Sequence, residues 1–448
     1  MTTALLKHRL LTVSNVVIAV LLVLVPFFAF LSVSTSALVG HFVLVRLWDE
    51  YLLAILVLLT TGQLIINRRL RQTFLHTPLL LWILLYVAYV IVLGVIALAD
   101  HQVGLKAAAY GMLLDTRFLF WFVAVWIIGT ESPWLKAHWQ HLIFWSLAAV
   151  AIFGLLQFFV LPDNFLIHFG YGSKTYVPYI TINQNSPTIR IQSFLRGANP
   201  LGMYLGTMVG LLGAVLAFRR RDWYRWLLMT GAILALFLSF SRSGWVVAAV
   251  GVALAVWWRL KQRRQRVAVL SLAAAAVLVV GGILLVMRHN TAVQDALLHV
   301  SSHSTALVTS NQGHLATFER SIAAGVHHPL GLGPGAAGQA SWYNRGHPIR
   351  NTESYLLQLA DEIGWPGVLG FLAICGALAL QLWRRRADPL AIGLLAVLVG
   401  ITIASLVDYA WTDDTLAYTW FGLAAITLSS PRPEPDSSVP DQLAPSKK

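Results

Sequence analysis

Long apolar runs separated by short polar stretches fill most of the chain. About twelve are long enough to cross a bilayer, which takes roughly 20 residues. They lie near 12–33, 46–66, 78–99, 107–129, 140–161, 199–218, 223–241, 243–258, 266–287, 364–383, 389–407 and 414–429. The stretch Leu227–Trp258 contains a single charged residue, Arg242. Basic clusters flank it on both sides, so it is expected to go out and return, turning near Ser241–Gly244. The return span, Ser243 to Trp258, then has about sixteen residues, roughly 24 Å of helix. That is short of the roughly 30 Å hydrocarbon thickness. Arg242 is therefore expected in a recess below the outer surface.

Two connections are long, 162–198 and 288–352. In "TIRIQSFLRGANPLGMYLG", Ile189 and Ile191 alternate with Arg190 and Gln192, which predicts a short strand. Asn199 then reads as an N-cap with Pro200 at the first helical position. "HHPLGLGPGAAG" (His327–Gly338) reads as a flexible glycine-rich turn that lets backbones approach closely. It lacks the Gly-Lys-Ser/Thr ending of a phosphate-binding P-loop. "RNTESYLLQLADEIGWPG" predicts an amphipathic helix capped at Asn351 and ended by Gly364 and Pro366.

Composition agrees with a membrane protein. Of 448 residues, 57% are hydrophobic and 11% charged. Mean hydropathy is +0.69, outside the soluble range. The first apolar run is too long for a cleaved signal and continues into Pro26 and Phe27, so it reads as an uncleaved anchor. The single cysteine, Cys375, allows no disulfide within the chain. The net charge of +13 could suggest nucleic acid, but its distribution excludes that reading. The basic clusters at Arg68–Arg71, Arg219–Arg225, Arg259–Arg266 and Arg384–Arg386 sit between alternate spans, and Lys7 and Arg9 join them. The positive-inside rule makes this face, and both termini, cytoplasmic. The expected class is an all-α polytopic membrane protein with a large external loop between spans nine and ten. Residues 1–287 would hold spans one to nine, with an external loop at 162–198. Residues 288–352 would form the large external loop, and 353–429 the amphipathic helix and spans ten to twelve. Residues 430–448 would be a disordered cytoplasmic tail.

Charge placement also points to chemistry. Arg242 either snorkels to headgroups or holds an anion, with flanking serines and Gly244 offering backbone N–H groups. Arg196 lies three residues before Asn199, where a helix N-terminus favours an anion, or it is an ordinary interfacial arginine. The long loop carries Arg288, Arg320, Arg345 and Arg350 and half of the fourteen histidines. External arginines run against the usual bias, and an anionic membrane-borne substrate would account for them. Asp295, His299 and His303 share one helix face, a spacing that suits a metal but more often marks a solvated surface. Asp115 and Arg117 fall within the fourth span, where a transporter would place paired charges. No repeat links the two halves of the chain.

Four features together resemble the bacterial O-antigen ligase and O-antigen polymerase superfamily of integral membrane glycosyltransferases. They are the twelve-span layout; "SRSGW" at 241–245; "RGANPLG" at 196–202; and "GHLATFERSIAAGVHHPLGLGPG" at 313–335 followed by "ESYLLQLADEIGWPG" at 353–367. The resemblance covers about 189–370 and implies transfer of a glycan from an undecaprenyl-diphosphate carrier. Transfer would take place on the outer face of the bacterial inner membrane. The acceptor would be a lipid-core sugar, another lipid-linked glycan or a protein side chain. It implies no metal, no cofactor and no nucleotide sugar. Arginines would hold the diphosphate, here Arg190, Arg196, Arg242, Arg320 and Arg350, and a loop residue would activate the acceptor hydroxyl. Where ligases carry an arginine after the opening glycine, this chain has His314; where they carry His-Asn, it has Glu353-Ser354. The base is accordingly Glu353 or His314. Expected partners are the polyprenyl-diphosphate-linked glycan donor, a glycan or lipid acceptor, and the bilayer. The competing reading is a lipid-linked glycan flippase or other polytopic transporter.

Overall fold

The computed structural model describes residues 2–182, 189–218, 222–260, 262–269 and 310–429, and single positions 271, 282 and 286. The arginines at 219–221, nearly all of the ninth run, Arg288, the Asp295/His299/His303 trio and the tail 430–448 lie outside the described residues.

The protein is an all-α polytopic membrane protein. Seven described helical stretches are long and apolar enough to cross a bilayer: Ala4–Val39 (formed by α1, Thr2–Leu24, and α2, Phe28–Val39), Trp48–Ile66 (α4, after the short α3 at Phe42–Val45), Pro78–Ala99 (α6, after the short α5 at Arg68–Leu75), Leu105–Glu131 (α7), Pro133–Phe159 (α8), Ala198–Phe218 (α9) and Tyr355–Trp383. Trp223–Leu238 (α10) and Pro389–Ala404 are shorter apolar helices. Arg242–Arg259 (α11) and Asp414–Ser429 complete the apolar set among the described residues. The first stretch is broken by a 3-10 turn at Val25–Phe27, where Pro26 sits at the start of the turn and cannot donate to the ladder. Helix α8 starts at Pro133, earlier than the apolar run suggests, because Ser132 caps it by accepting from the Leu135 amide. The polar "KAHWQH" turn then continues the same helix.

Two helices form the centre. Every residue of α9 from Leu201 to Leu216 is buried, and so is every residue of Asp414–Ser429 from Thr415 onward. Helix α11 packs mainly on α9 and on Pro389–Ala404, while Asp414–Ser429 packs on α7. The second contact is aromatic: Phe118 meets Phe421 at 4.8 Å between ring centroids, and the Trp121 indole donates to the Tyr418 carbonyl at 2.8 Å. Helix α6 does the opposite, exposing Leu81, Trp82, Leu84, Leu85, Val92 and Val95. So many large apolar side chains on one outward face suit lipid, not water.

The α9–α11 seam runs backbone against backbone. A Cβ added to Gly206 would lie 2.3 Å from the Gly244 carbonyl oxygen, and one on Gly244 would lie 2.3 Å from the Gly202 carbonyl oxygen. Further along, the Gly210 and Gly251 backbones also meet, with Val397 against both. Small residues at such spacing permit the close approach that drives helix association in lipid. The seam lays "RGANPLG" beside "SRSGW".

The connections are more ordered than their composition suggests. The strand expected near 189–192 is present as Ile189–Arg190, paired antiparallel with Ile180–Thr181. Helix α9 begins at Ala198, so Asn199 lies inside its first turn instead of capping it. The glycine-rich segment is buried from Gly333 to Gly338 and is not a loose turn. Leu332 and Gly333 donate to the Asp361 and Glu362 carbonyls at 2.8 Å, and Gly335 donates to the Glu362 carboxylate at 2.8 Å. The helix after the loop begins at Tyr355, capped by Ser354, whose hydroxyl accepts from the Leu357 amide. Its first turns are buried on every side, including Gln358, Asp361 and Glu362, so this stretch is core and not an amphipathic surface helix. It breaks at Gly364 (φ 70°), where a Cβ would meet the Leu330 backbone at 2.4 Å.

The seam gives a direct test. Gly206→Ala should force α9 and α11 apart and destabilise the protein by about 1–3 kcal/mol, the usual cost of overpacking. Gly231→Ala, with nothing within 4 Å of its added Cβ, should be neutral. Thermal unfolding in detergent of the two variants checks this; equal melting temperatures would contradict the seam.

Candidate functional site

Three segments line one cavity of ≈ 340 Å³. The start of α9 contributes Arg196, Asn199, Pro200 and Met203, and the loop contributes Gly338, Gln339, Trp342 and Asn351. The connection between the last two helices contributes Asp408, Tyr409, Ala410 and Asp413. The turn between α10 and α11 backs this wall: Ser243 hydrogen-bonds the Asp408 carboxylate, and Ser241 caps α11 by accepting from the Gly244 amide at 3.3 Å. Arg242 is thus the first residue of α11, and its side chain is exposed.

Of the arginines singled out by sequence, Arg196 lines the cavity, Arg190 bonds Asn199 of its wall, and Arg242 lies within the field of Arg190. Arg196 pairs with Asp413 at 3.0 Å and lines the cavity. Burial pulls its guanidinium pKa down, but Asp413, Tyr176 and Asp414 more than offset this and raise it above the ordinary value. Arg190 reaches from the ribbon, donating to the Ser239 carbonyl at 3.0 Å and to the Asn199 side chain. Burial lowers its guanidinium to about 10, Asp408 opposes the shift, and Arg242 adds to it. Arg190 therefore stays cationic at neutral pH and lies within the field of both residues. Asp408 is itself raised, by burial first, with the Ser243 hydroxyl, the Tyr409 amide and Arg196 opposing.

The remaining candidates divide. Glu353 lies just before the Ser354 cap, outside the helix, with a left-handed φ of 53°. Its amide donates to the Tyr409 hydroxyl at 2.8 Å, and Asn351 donates to its carboxylate at 3.4 Å. A glutamate held in this region is strained, a condition that persists where surrounding structure over-determines it and that clusters at functional sites. Arg350 feels Asp361, and its carbonyl accepts from the Gly338 amide at 2.9 Å. Arg320 is turned onto its own helix, Ser310–His327, donating to the Ala316 carbonyl and to Thr317, and does not line the cavity. His314 falls on that helix, but its side chain lies outside the described residues.

Sequence reading passed over the acidic connection "DYAWTDD" at 408–414 as a short link between spans. Three aspartates within seven residues, between two apolar runs, were the available signal. Behind Asp413 lies a second ionic group. Arg117 donates to Glu50 at 2.6 Å and to the Thr412 carbonyl at 3.2 Å, and pairs with Asp414. Asp115, two residues away in sequence, instead feels Glu362. Asp49, Glu50 and Asp414 bring carboxylate oxygens within 4.8 Å of one another, the one metal-like grouping among the described residues. Arg117 already supplies positive charge there.

A polytopic helical bundle with a polar cavity, lined by Arg196, Asp408 and Asp413 between a loop and helix ends, defines a membrane protein with a polar site at one end of its helices. Residues 226–372 match the family model for O-antigen ligase, which bears out the resemblance to the O-antigen ligase and polymerase superfamily. The match takes in α10 from Trp226 on, α11, the loop, and the following helix past its break at Gly364 as far as Leu372. A comparison with curated proteins finds no match.

Arg117 is 3% exposed, so removing it strands two carboxylates. Arg117→Met should cost about 3–5 kcal/mol, the usual penalty for breaking a buried ion pair from one side. Adding Glu50→Gln and Asp414→Asn should recover much of that loss. Denaturation of the single and triple variants measures it; an unchanged single variant would contradict the pairing.

Proposed function

We propose that the protein is a glycosyltransferase of the cell envelope. It moves a glycan from a polyprenyl-diphosphate carrier, of the undecaprenyl class, to a hydroxyl acceptor. The full layout would have twelve spans, with the cavity on the extracytoplasmic face of the bacterial plasma membrane. The observation that carries this reading is a polar cavity lined by Arg196 and by the loop carrying Glu353, with Arg190 bonded to Asn199 of its wall and Arg242 within the field of Arg190.

The chemistry follows from charge. The acceptor oxygen attacks the anomeric carbon, and the bond from that carbon to the phosphate oxygen breaks. The diphosphate leaves with the bonding pair. Guanidinium groups neutralise the charge that develops on it, and their planar forks match phosphate oxygens. The acceptor proton passes to a carboxylate, for which Glu353 is the candidate; its neighbour Tyr409 fixes the backbone that carries it. Asp408 and Asp413 would hold the arginines in place until the donor arrives. The family match supports a ligase- or polymerase-type transferase, and the cavity at the helix ends favours surface chemistry over transport.

Arg242→Lys should already transfer poorly, because a point charge does not reproduce the guanidinium fork. Loss of a charge-assisted contact to the leaving group should slow transfer roughly a hundredfold or more. Near-wild-type transfer by Arg242→Ala in correctly folded protein would sink the diphosphate role. The base is separated by substitution. With Glu353 in the role, Glu353→Gln should be inactive and His314→Ala active. Glu353→Gln active with His314→Ala dead would transfer the role to His314.

A further inference from the structure

Two buried carboxylates stand apart from the polar cavity and from the Arg117 group. Asp115 lies on α7, roughly 15 Å along the helix from Leu105. It is 1% exposed, and neither of its carboxylate oxygens has a hydrogen-bond partner among the described residues. The charged group that it feels is Glu362, fully buried near the start of the Tyr355–Trp383 helix. Glu362 is provided for: its carboxylate accepts from the Gly335 amide at 2.8 Å and from Gln358 at 3.0 Å. Those donors stabilise its ionised form. Asp361, which Glu362 also feels, is offset by Arg350. Asp115 has no donor, and Arg117, two residues on, is committed to Glu50 and Asp414. A charge buried in that condition is costly unless something compensates it.

A second observation points to a ligand. The hydroxyls of Tyr86 on α6 and of Tyr355 also lack partners among the described residues, with the two residues 5% and 1% exposed. Tyr86 feels Asp115, then Cys375 and Glu362; Tyr355 feels Tyr86, then Asp115, Cys375 and Glu362. Packing fixes both rings. A Cβ on Gly370 would lie 3.2 Å from the Tyr86 ring, and Tyr355 meets Phe371 edge-on at 5.3 Å between centroids. Beside them Tyr89 donates to the Ile363 carbonyl at 2.9 Å, which ties α6 to the residue after Glu362. The set has two acids, not the three of the Asp49 group, and phenol oxygens complete it. An all-oxygen set drawn from three helices suits a hard cation.

We propose that Asp115, Glu362, Tyr86 and Tyr355 bind one monovalent metal cation, with Asp115 as its charge partner. One positive charge matches the one carboxylate that has no donors. The site is structural and is independent of the transferase reading. It acts on the glycine-rich loop, because Gly335, which Glu362 holds, lies against the backbone of α7. A Cβ on Gly335 would be 2.2 Å from the Ala107 carbonyl oxygen, and one on Gly111 would be 2.2 Å from the Gly335 nitrogen. Asp115 follows Gly111 by one turn. The cation thus joins α6, α7 and the Tyr355–Trp383 helix at the root of the loop that brings Gln339 and Trp342 to the polar cavity.

Thermal unfolding of the full chain in detergent tests this, with Na⁺ as the probe and choline chloride holding ionic strength constant. A cation that binds only the folded state stabilises it by mass action. The wild type should gain several degrees in melting temperature as Na⁺ replaces choline, and the gain should saturate. Asp115→Asn should lose the response. Tyr86→Phe, which spares both carboxylates, should move the midpoint to several-fold higher Na⁺. Hydrogen exchange of the Gly331–Gly338 amides should slow in Na⁺ in the wild type. Equal melting in Na⁺ and choline, or a Na⁺ response retained by Asp115→Asn, would overturn the proposal. Should Asp115→Asn not fold, an unchanged midpoint in Tyr86→Phe would overturn it instead. A response to pH alone would show that Asp115 carries a proton in place of a metal ion. Saturation by Ca²⁺ at lower concentration than by Na⁺ would make the occupant divalent and contradict the monovalent assignment.

Discussion

The contact between α9 and α11 without intervening side chains is the constraint on which the site depends. Gly202, Gly206 and Gly244 let two peptide backbones touch. Lipid tails are as apolar as leucine, so burying leucine gains little between helices, and close packing must supply the association. This seam sets the start of α9, with Arg196, against the start of α11, with Arg242. The turn into α11 is then near enough for Ser243 to bond Asp408 and for Arg190 to reach Ser239. A side chain at any of the three glycines would separate the parts of the cavity.

The second constraint is electrostatic. Guanidinium groups near or within apolar surroundings need partners, and here they have them in a chain. Arg117 takes Glu50 and Asp414; Asp413, the next residue, takes Arg196. Removing one partner of such a buried set leaves the other uncompensated. The same arrangement keeps Arg196 charged and oriented at the cavity wall. The glycine-rich loop is tied in a comparable way. The Glu362 carboxylate accepts from Gly335 and from Gln358, and this holds in place the loop from which Gln339 and Trp342 enter the cavity.

Much of this was legible in the sequence, for physical reasons. A bilayer demands long apolar helices, so most spans could be read within a few residues. A lone arginine in apolar sequence is costly, and that cost drew attention to Arg242; strand alternation found Ile189–Arg190. What stayed hidden depends on tertiary contact. Asp408 and Asp413 looked like link residues until the fold set them against Ser243 and Arg196. A glycine-rich segment reads as loose, and only the Glu362 carboxylate shows why Gly333–Gly338 is buried. Arg320 looked equivalent to its neighbours, yet its guanidinium folds back on its own helix. The left-handed backbone at Glu353 has no sequence signal at all.

The central claim is that this cavity breaks a bond in a lipid-linked glycan. The direct measurement reconstitutes the purified protein in vesicles with a polyprenyl-diphosphate glycan, labelled separately in sugar and lipid, and a panel of hydroxyl acceptors. The expected result is sugar label on an acceptor with release of an equal amount of polyprenyl diphosphate. Intact donor appearing on the opposite leaflet, with both labels still joined, would contradict the account and establish transport instead.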